Sequence, residues 1–372
     1  MLTKKKFILV KNKKNKPFKL KRTKKKIIKG GNFWEFNKVT PKSVKKKNNA
    51  RYYLDGKLVI DTKKINRFNN LYIPPAYINV RVAKSPKHKI QAIGEDTRGR
   101  KQYIYHPDFV RELSQRKYDN ITKLSNKIVE IENDNDKIVN GIVSRCQLDS
   151  EKLKYPDDYY PIIIRLLLKY HFRIGNHKYE KENNSYGIIT LLKDHIKLLE
   201  GNKYCIEFIG KKGIINKVVD IDKVMYNILR LLVQQKNNDD HLFCYLDRNN
   251  KKYINSDDIK TYLYNRYNSN ITPKMFRTWY ANYYLLSYLK DLYDKKSELI
   301  RQNMNKKQKK ELVKNCTIFV SEKLNNTPGI SKKSYINSNL LEMVVNEPIH
   351  FAKKIPSERE KLHSYLKKLI VK

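Results

Sequence analysis

Five stretches of this chain carry residue types that could act on a phosphate. Gly94-Glu95-Asp96-Thr97-Arg98-Gly99 resembles the start of a nucleotide-binding P-loop. However, Arg100-Lys101 stands where a Lys-Ser/Thr pair would hold phosphate and magnesium, and the stretch lies between strand-like runs rather than before a helix. It reads better as a basic hairpin, with Arg98, Arg100 and Lys101 followed by Gln102, Tyr103 and Tyr105. Cations beside an amide and phenolic rings can engage phosphates and base edges together, although a solvated hairpin has the same composition.

The other four stretches are ambiguous singly. Arg173, in Phe172-Arg173-Ile174-Gly175-Asn176-His177-Lys178-Tyr179, follows an apolar helix and could serve only the helix dipole. Lys211, in Phe208-Ile209-Gly210-Lys211-Lys212-Gly213, reads alone as a basic turn at a strand end. Arg277, in Phe276-Arg277-Thr278-Trp279, reads alone as a helix-surface cation. Leu324-Asn325-Asn326-Thr327-Pro328-Gly329-Ile330-Ser331-Lys332-Lys333-Ser334-Tyr335 ends in one of 27 tyrosines, most of which must serve packing or surface. Only the stretches taken together, in order, change that reading.

These residues need elements to position them. Arg51–Leu54 and Lys57–Ile60 flank Asp55-Gly56, a dipeptide suited to a two-residue hairpin turn. Ile78–Val82, Lys89–Ile93 and Lys101–Tyr105 read as further strands. After Pro107 the pattern turns helical, through 108–145 and then Ile162–Tyr170, opened by Pro161. Val224, Ile228 and Leu232 recur at helical spacing, as do Phe276, Tyr280 and Tyr283. Tyr186–Leu191 and Tyr204–Ile209 read as a strand pair. The expectation is an α+β chain in three parts. Residues 1–48 form a basic flexible tail with Glu35 as its only acid, 49–115 a small mainly-β domain, and 116–372 a larger mainly-α domain with a small sheet.

Composition points to a polyanionic partner. The 372 residues carry 80 Lys plus Arg against 37 Asp plus Glu, a formal charge of +43, with 40% hydrophobic residues for a core. Lys and Arg release counterions from phosphates, the main sequence-independent source of nucleic-acid affinity. An anionic membrane surface is the competing explanation. No apolar run approaches membrane-spanning length, so a membrane partner is not expected. Cys146, Cys205, Cys244 and Cys316 form no CxxC pair, the usage of a reducing compartment. The chain is therefore expected inside a cell, or carried inside a particle. The eight histidines form no HExxH or Cys/His motif, so neither a metal nor a cofactor is expected.

From Ile73 to Met343 the sequence resembles the small type IB topoisomerases of poxviruses, other large DNA viruses and bacteria. Ile73-Pro74-Pro75-Ala76 and Gly99-Arg100-Lys101-Gln102-Tyr103 match that family's amino-terminal domain. The Arg-Ile-Gly, Gly-Lys, Phe-Arg-Thr-Trp and Asn-Thr-Pro…Ser-Tyr stretches match its catalytic domain. The resemblance implies a C-shaped, two-domain clamp on double-stranded DNA, worked by a monomer. It also implies a catalytic set of Arg173, Lys211, Arg277, Asn326 and Tyr335, with Arg98, Arg100, Lys101, Gln102, Tyr103, Lys178 and Tyr179 as DNA contacts. Lys212 competes with Lys211, but Lys211 directly follows the glycine, as in the family. Poxvirus members have His where this chain has Asn326, so their preference for a short DNA sequence does not transfer.

These residue types suit the implied reaction. Attack on a phosphodiester builds negative charge, which two guanidiniums and an amide can meet. The family assigns Lys211 the protonation of the departing 5′ oxygen. A phenolate leaves phosphorus readily, so a 3′-phosphotyrosyl ester keeps the bond energy for resealing. Strand swivelling between the two steps relaxes supercoils without ATP, and the lack of a two-metal carboxylate motif fits a metal-independent route. A tyrosine recombinase shares this residue logic without the Gly-Arg-Lys-Gln-Tyr hairpin. A non-enzymatic packaging protein would explain the charge alone.

Overall fold

Asp55 and Gly56 both take positive φ, 45° and 83°, the backbone of a tight hairpin turn between the strands Arg51–Leu54 and Lys57–Leu58. The computed structural model describes residues 6–9, 20–23, 32–39, 51–148, 152–236 and 240–371. The chain divides into two units, Met1–Gln115 and Arg116–Lys372.

In the first unit β1 (Lys6–Leu9) pairs antiparallel with β2 (Leu20–Thr23). A six-stranded antiparallel sheet is built from β3 (Phe33–Val39), β4 (Arg51–Leu54), β5 (Lys57–Leu58), β6 (Ile78–Ala83), β7 (Ile90–Glu95) and β8 (Lys101–Tyr105). Its order is β5-β4-β3-β6-β7-β8. Helix α1 (Thr62–Asn70), N-capped by Asp61, contributes Phe68 to a small core with Phe36, Tyr52, Val82 and Ala92.

Three of these strands lie in the segment 1–48 expected to be a flexible tail, so that boundary is corrected. Phe33, Trp34 and Phe36 interrupt the lysine-rich composition, and β3 joins β4 to β6 at the middle of the sheet. Phe36 is 4% exposed and T-stacks on Phe68, which no solvated arm would do. Burying such a ring is worth about 1.5–3 kcal/mol, enough to override local charge repulsion. The remaining residues of 1–48 lie outside the described ones.

The second unit is mainly helical. Its elements begin with α2 (Pro107–Ser125, whose first residues belong to the first unit), α3 (Ile128–Leu148), α4 (Tyr159–Tyr170) and α5 (His177–Asn183). A three-stranded antiparallel sheet follows, β9 (Ile196–Leu198), β10 (Lys203–Ile209) and β11 (Ile215–Ile221), with β10 central. Then come α6 (Lys223–Gln234), the hairpin β12 (Cys244–Asp247) and β13 (Asn250–Tyr253), and α7 (Ser256–Tyr267). The chain continues through α8 (Pro273–Asp294), α9 (Lys306–Lys323), α10 (Pro328–Ser334), α11 (Ser338–Asn346), α12 (Pro348–Lys354) and α13 (Arg359–Ile370).

Helix α8 is the axis of this unit, packing against α4, α7, α9, α12 and α13. Residues Phe276 to Asn282 are all buried, so the helix is enclosed on every side over two turns. A buried polar network ties it further. Trp279 donates through Nε1 to His363 Nδ1 at 2.8 Å, and Glu132 of α3 accepts from both Tyr280 and Arg359.

The expected strand pair fails at its first member. Within Tyr186–Leu191, Ile188–Thr190 is a 3-10 turn, and β10 pairs instead with β9 and β11. Ile188, Ile189 and Leu191 are all buried, so the run lacks the in-out alternation of a one-sided strand. The Ile188 and Ile189 amides donate to the Arg173 and Ile174 carbonyls at 3.0 and 2.8 Å.

Candidate active site

Arg277 is set by its helix. Pro273 fills the first helical position of α8, where a missing N–H costs nothing, and the apolar run around it drives the helix inward. Arg277 is only 2% exposed, which corrects the helix-surface reading. The consecutive aromatic and aliphatic residues on both sides were the available signal. Its Nη2 donates to the Leu324 carbonyl at 2.7 Å, just past α9, and its Nη1 donates to the His171 carbonyl, just past α4. Nε is buried without a partner, and no carboxylate pairs with Arg277 among the described residues. Burial, with help from the Arg173 charge, pulls the guanidinium down to about 10, against the pull of Tyr335. A buried cation of this kind is built to receive an anion.

Arg173 is reached through His171, which ends α4 in the left-handed conformation (φ 52°), and the fully buried Phe172. The strip Arg173–Gly175 lies directly on Gly187. A Cβ there would come within 2.6 Å of the Arg173 carbonyl and 2.5 Å of the Gly175 nitrogen. Arg173 Nη2 donates to Asn326 Oδ1 at 2.5 Å. A guanidinium only donates, so the atom facing it must be the amide oxygen. Asn326 Nδ2 is thereby left as a buried donor without a partner.

Asn326 follows a left-handed Asn325 (φ 48°), and its own N–H returns to the Ser321 carbonyl at 2.9 Å. Thr327 then caps α10, Pro328 opens it, and Tyr335 closes it. The nine-residue step from Asn326 to Tyr335 is this one short helix. Tyr335 is 6% exposed, with its ring centroid 5.3 Å from the Arg277 guanidinium carbon. Burial pushes its phenol up, but the charges of Arg277, Arg173 and Lys274 outweigh it. The net effect holds the phenol below its ordinary value.

Arg173, Arg277, Asn326 and Tyr335 thus come together. Lys211 does not join them. It lies exposed in the 3-10 turn between β10 and β11, and no bond links it to the other four among the described residues. Lys212, its competitor, adopts a left-handed φ of 66° in the same turn. Lys178 and Tyr179 are exposed on α5, Tyr179 by 58%. In the first unit, Arg98, Arg100, Lys101, Gln102 and Tyr103 cluster on the β7–β8 hairpin. Arg100 pairs with Asp96 at 2.7 Å, and Gln102 donates to the same carboxylate at 3.0 Å. The Arg100 hydrogen bond leads in drawing Asp96 down to about 2. Tyr103 stacks on Tyr105, with centroids 6.1 Å apart.

Two residues missed in the sequence hold the tyrosine in place. Asn282, wholly buried, donates to the Tyr335 carbonyl at 3.0 Å and accepts from the Asn337 N–H at 2.7 Å. A lone Asn inside an aromatic helix was its only signal. Lys117 of α2 donates to the Ser334 carbonyl at 2.8 Å. Burial, then Lys274, depresses its ammonium to about 8. Nothing in its local sequence marked it.

The arrangement can pass a phosphoryl group to a phenol, with two guanidiniums and an amide N–H to receive the charge that develops. Comparisons with known proteins agree on the class. The model of the catalytic core of eukaryotic DNA topoisomerase I matches residues 106–362, and that of the amino-terminal domain of bacterial DNA topoisomerase IB matches 51–96. DNA topoisomerase 1B of Acanthamoeba polyphaga mimivirus is 32% identical over 315 residues, covering 81% of this chain and 85% of its own length. DNA topoisomerase 1B of vaccinia virus (strain Copenhagen) is 25% identical, covering 79% and 90%. DNA topoisomerase 1 of rabbit fibroma virus (strain Kasza) is 26% identical, covering 79% and 89%. The chain belongs to the type IB DNA topoisomerases, isomerases that act on DNA.

Proposed function

We propose that Tyr335 is the nucleophile by which this chain relaxes supercoiled duplex DNA. Its Oη bonds to phosphorus as the bond from phosphorus to the 5′ oxygen breaks. The phenolic proton is released, and Lys211 donates a proton to the departing oxygen. Arg173, Arg277 and the Nδ2 of Asn326 meet the charge on the non-bridging oxygens. Resealing runs the same steps backward after the cut strand has swivelled. Lys211 has to approach on the DNA-bound enzyme, and its place on an exposed turn leaves it free to do so. The β7–β8 hairpin residues Arg98 to Tyr103, with Lys178 and Tyr179, contact the duplex, and a single chain closes on DNA as a C-shaped clamp. The observation that carries this reading is the buried phenol against Arg277, held below its ordinary pKa.

The test is plasmid relaxation in the absence of ATP and magnesium, with denaturing capture of protein-linked 3′ ends. Tyr335→Phe should abolish both while leaving DNA binding nearly unchanged, because only the nucleophilic oxygen is lost. A phenylalanine variant that still captured 3′ ends would assign the chemistry to another tyrosine.

A further inference from the structure

Three side chains that no sequence motif links converge beside α5. His177 and Glu180 lie one turn apart on that helix, and His241 comes from the strip just before β12. One ligand atom from each of the three lies within 4.8 Å of the others. Glu180 spans the two imidazoles, with Oε2 3.2 Å from His177 Nδ1 and Oε1 2.6 Å from His241 Nε2. His177 turns its other nitrogen, Nε2, to the Ile254 carbonyl 3.2 Å away. A carbonyl only accepts, so Nε2 carries hydrogen and Nδ1 is the nitrogen available as a ligand. A metal-bound histidine typically shows this outer hydrogen bond. Tyr253 packs against both imidazoles, tilted on His177 and edge-on to His241, with centroids 5.1 and 5.2 Å away, and so shields one side.

The helix that presents the cluster is short and unburied. Seven residues are too few for a helix to stand alone in water, and none of those in α5 is buried. Its ties outside its own backbone include the Asn176 cap, the Ile254 carbonyl, the Glu180–His241 contact and the ring contacts of His177 with His241 and Tyr253. The partner strip is itself fixed, since Leu242 donates to the Leu191 carbonyl at 2.8 Å and Lys193 to the Asp240 carbonyl at 3.1 Å.

We propose that His177 Nδ1, the Glu180 carboxylate and His241 Nε2 form a binding site for one divalent ion of the zinc class, which clamps α5 to the strip before β12. Two imidazoles and a carboxylate are a set that zinc accepts, with a fourth position left for water. Bond lengths of about 2.0–2.1 Å to nitrogen put tetrahedral ligands about 3.3 Å apart, so ligand atoms that lie within 4.8 Å of one another have to close by up to about 1.5 Å when the ion binds. The three side chains are 25%, 13% and 17% exposed, which leaves an entry path. The ion's part is to hold α5, and with it the exposed Lys178 and Tyr179; strand cleavage does not run through it. No histidine motif in the sequence links these residues, because His241 lies 61 residues beyond Glu180.

The test uses the tag-free full chain, stripped with chelator and titrated with Zn2+ against a fluorescent chelator. One zinc per chain should bind, and zinc should raise the melting temperature. His177→Gln, Glu180→Gln and His241→Gln should each weaken binding by at least about 100-fold, since loss of an outer partner alone costs about 10–100-fold. Far-UV circular dichroism of the metal-free variants shows that the fold is kept, and His177→Gln, on the exposed helix, leaves the core untouched. Co2+ in place of zinc should give nitrogen- and oxygen-ligand absorption. No zinc held at micromolar free metal would overturn the proposal. So would equal binding by the variants, or a thiolate charge-transfer band that moves the site to the nearby Cys244.

Discussion

Asn326 offers the sharpest test of the site, because its two amide atoms have separate tasks. Oδ1 receives Arg173 at 2.5 Å, while Nδ2 is buried with nothing to bond. Replacement by alanine removes the donor that would meet a non-bridging oxygen, and losing one such donor costs about 2.7–4 kcal/mol, or about 10²–10³ in rate. It also frees Arg173 from an acceptor worth about 1.5–3 kcal/mol, the range for a hydrogen bond to a charged group. The folded state should suffer little, since an unsatisfied buried donor goes with it. Aspartate separates the two tasks. It keeps the shape and holds Arg173 more tightly, but it donates nothing and sets a negative charge against the phosphate. Asn326→Asp should therefore cleave no faster than Asn326→Ala, whereas Asn326→His, which keeps a nitrogen donor, should retain substantial activity. The assay is single-turnover cleavage of a duplex oligonucleotide at saturating enzyme, with binding measured separately. If aspartate cleaves as fast as the native residue, the amide serves only to anchor Arg173. If alanine does, Asn326 is merely part of the turn that follows α9.

The pH profile should carry the mark of the arginines. Tyr335 is held below the ordinary phenol value of 10.0 because Arg277 and Arg173 outweigh burial, so cleavage should rise with pH and level off below pH 10. Arg277→Gln should move that limb upward, and a profile that stays put would refute the coupling. Gly187→Ala should destabilise the chain by about 1–3 kcal/mol, as overpacking does. It should also slow cleavage by at least 10-fold by pushing Arg173 aside, because displacements of about 1 Å can cost about 10²-fold. Melting and cleavage like the native chain would show that the contact yields freely. Deleting residues 1–31, which carry Lys and Arg but no acid, should weaken DNA binding at moderate salt and flatten its salt dependence, with relaxation at low salt kept. Deleting 1–48 also removes β3 and should unfold the first unit, visible as a lost melting transition; equal stability of the two truncations would contradict the place of β3 in the core.

Much of the fold was legible because it rests on short-range rules. Asp55-Gly56 named its own turn, and the helical spacing of Phe276, Tyr280 and Tyr283 named α8. The Lys101–Tyr105 strand followed from its neighbouring turn. The order of the stretches around Arg173, Lys211, Arg277, Asn326 and Tyr335 was enough to identify the class of enzyme. What local pattern could not supply was any effect that depends on partners distant in the chain. Strand β3 was hidden in a lysine-rich segment because its stability comes from β4, β6 and Phe68, not from its own composition. Tyr186–Leu191 looked like a strand because burial on both sides and burial on one side differ only once the neighbours are present. The buried carbonyls at His171 and Leu324 turned Arg277 from a surface cation into an internal one. Asn282 and Lys117 gained their roles only when folding put the Ser334 and Tyr335 carbonyls within reach. The same holds for His177, Glu180 and His241, whose convergence is a property of packing: chain separation carries no information about distance once a long segment has closed on itself.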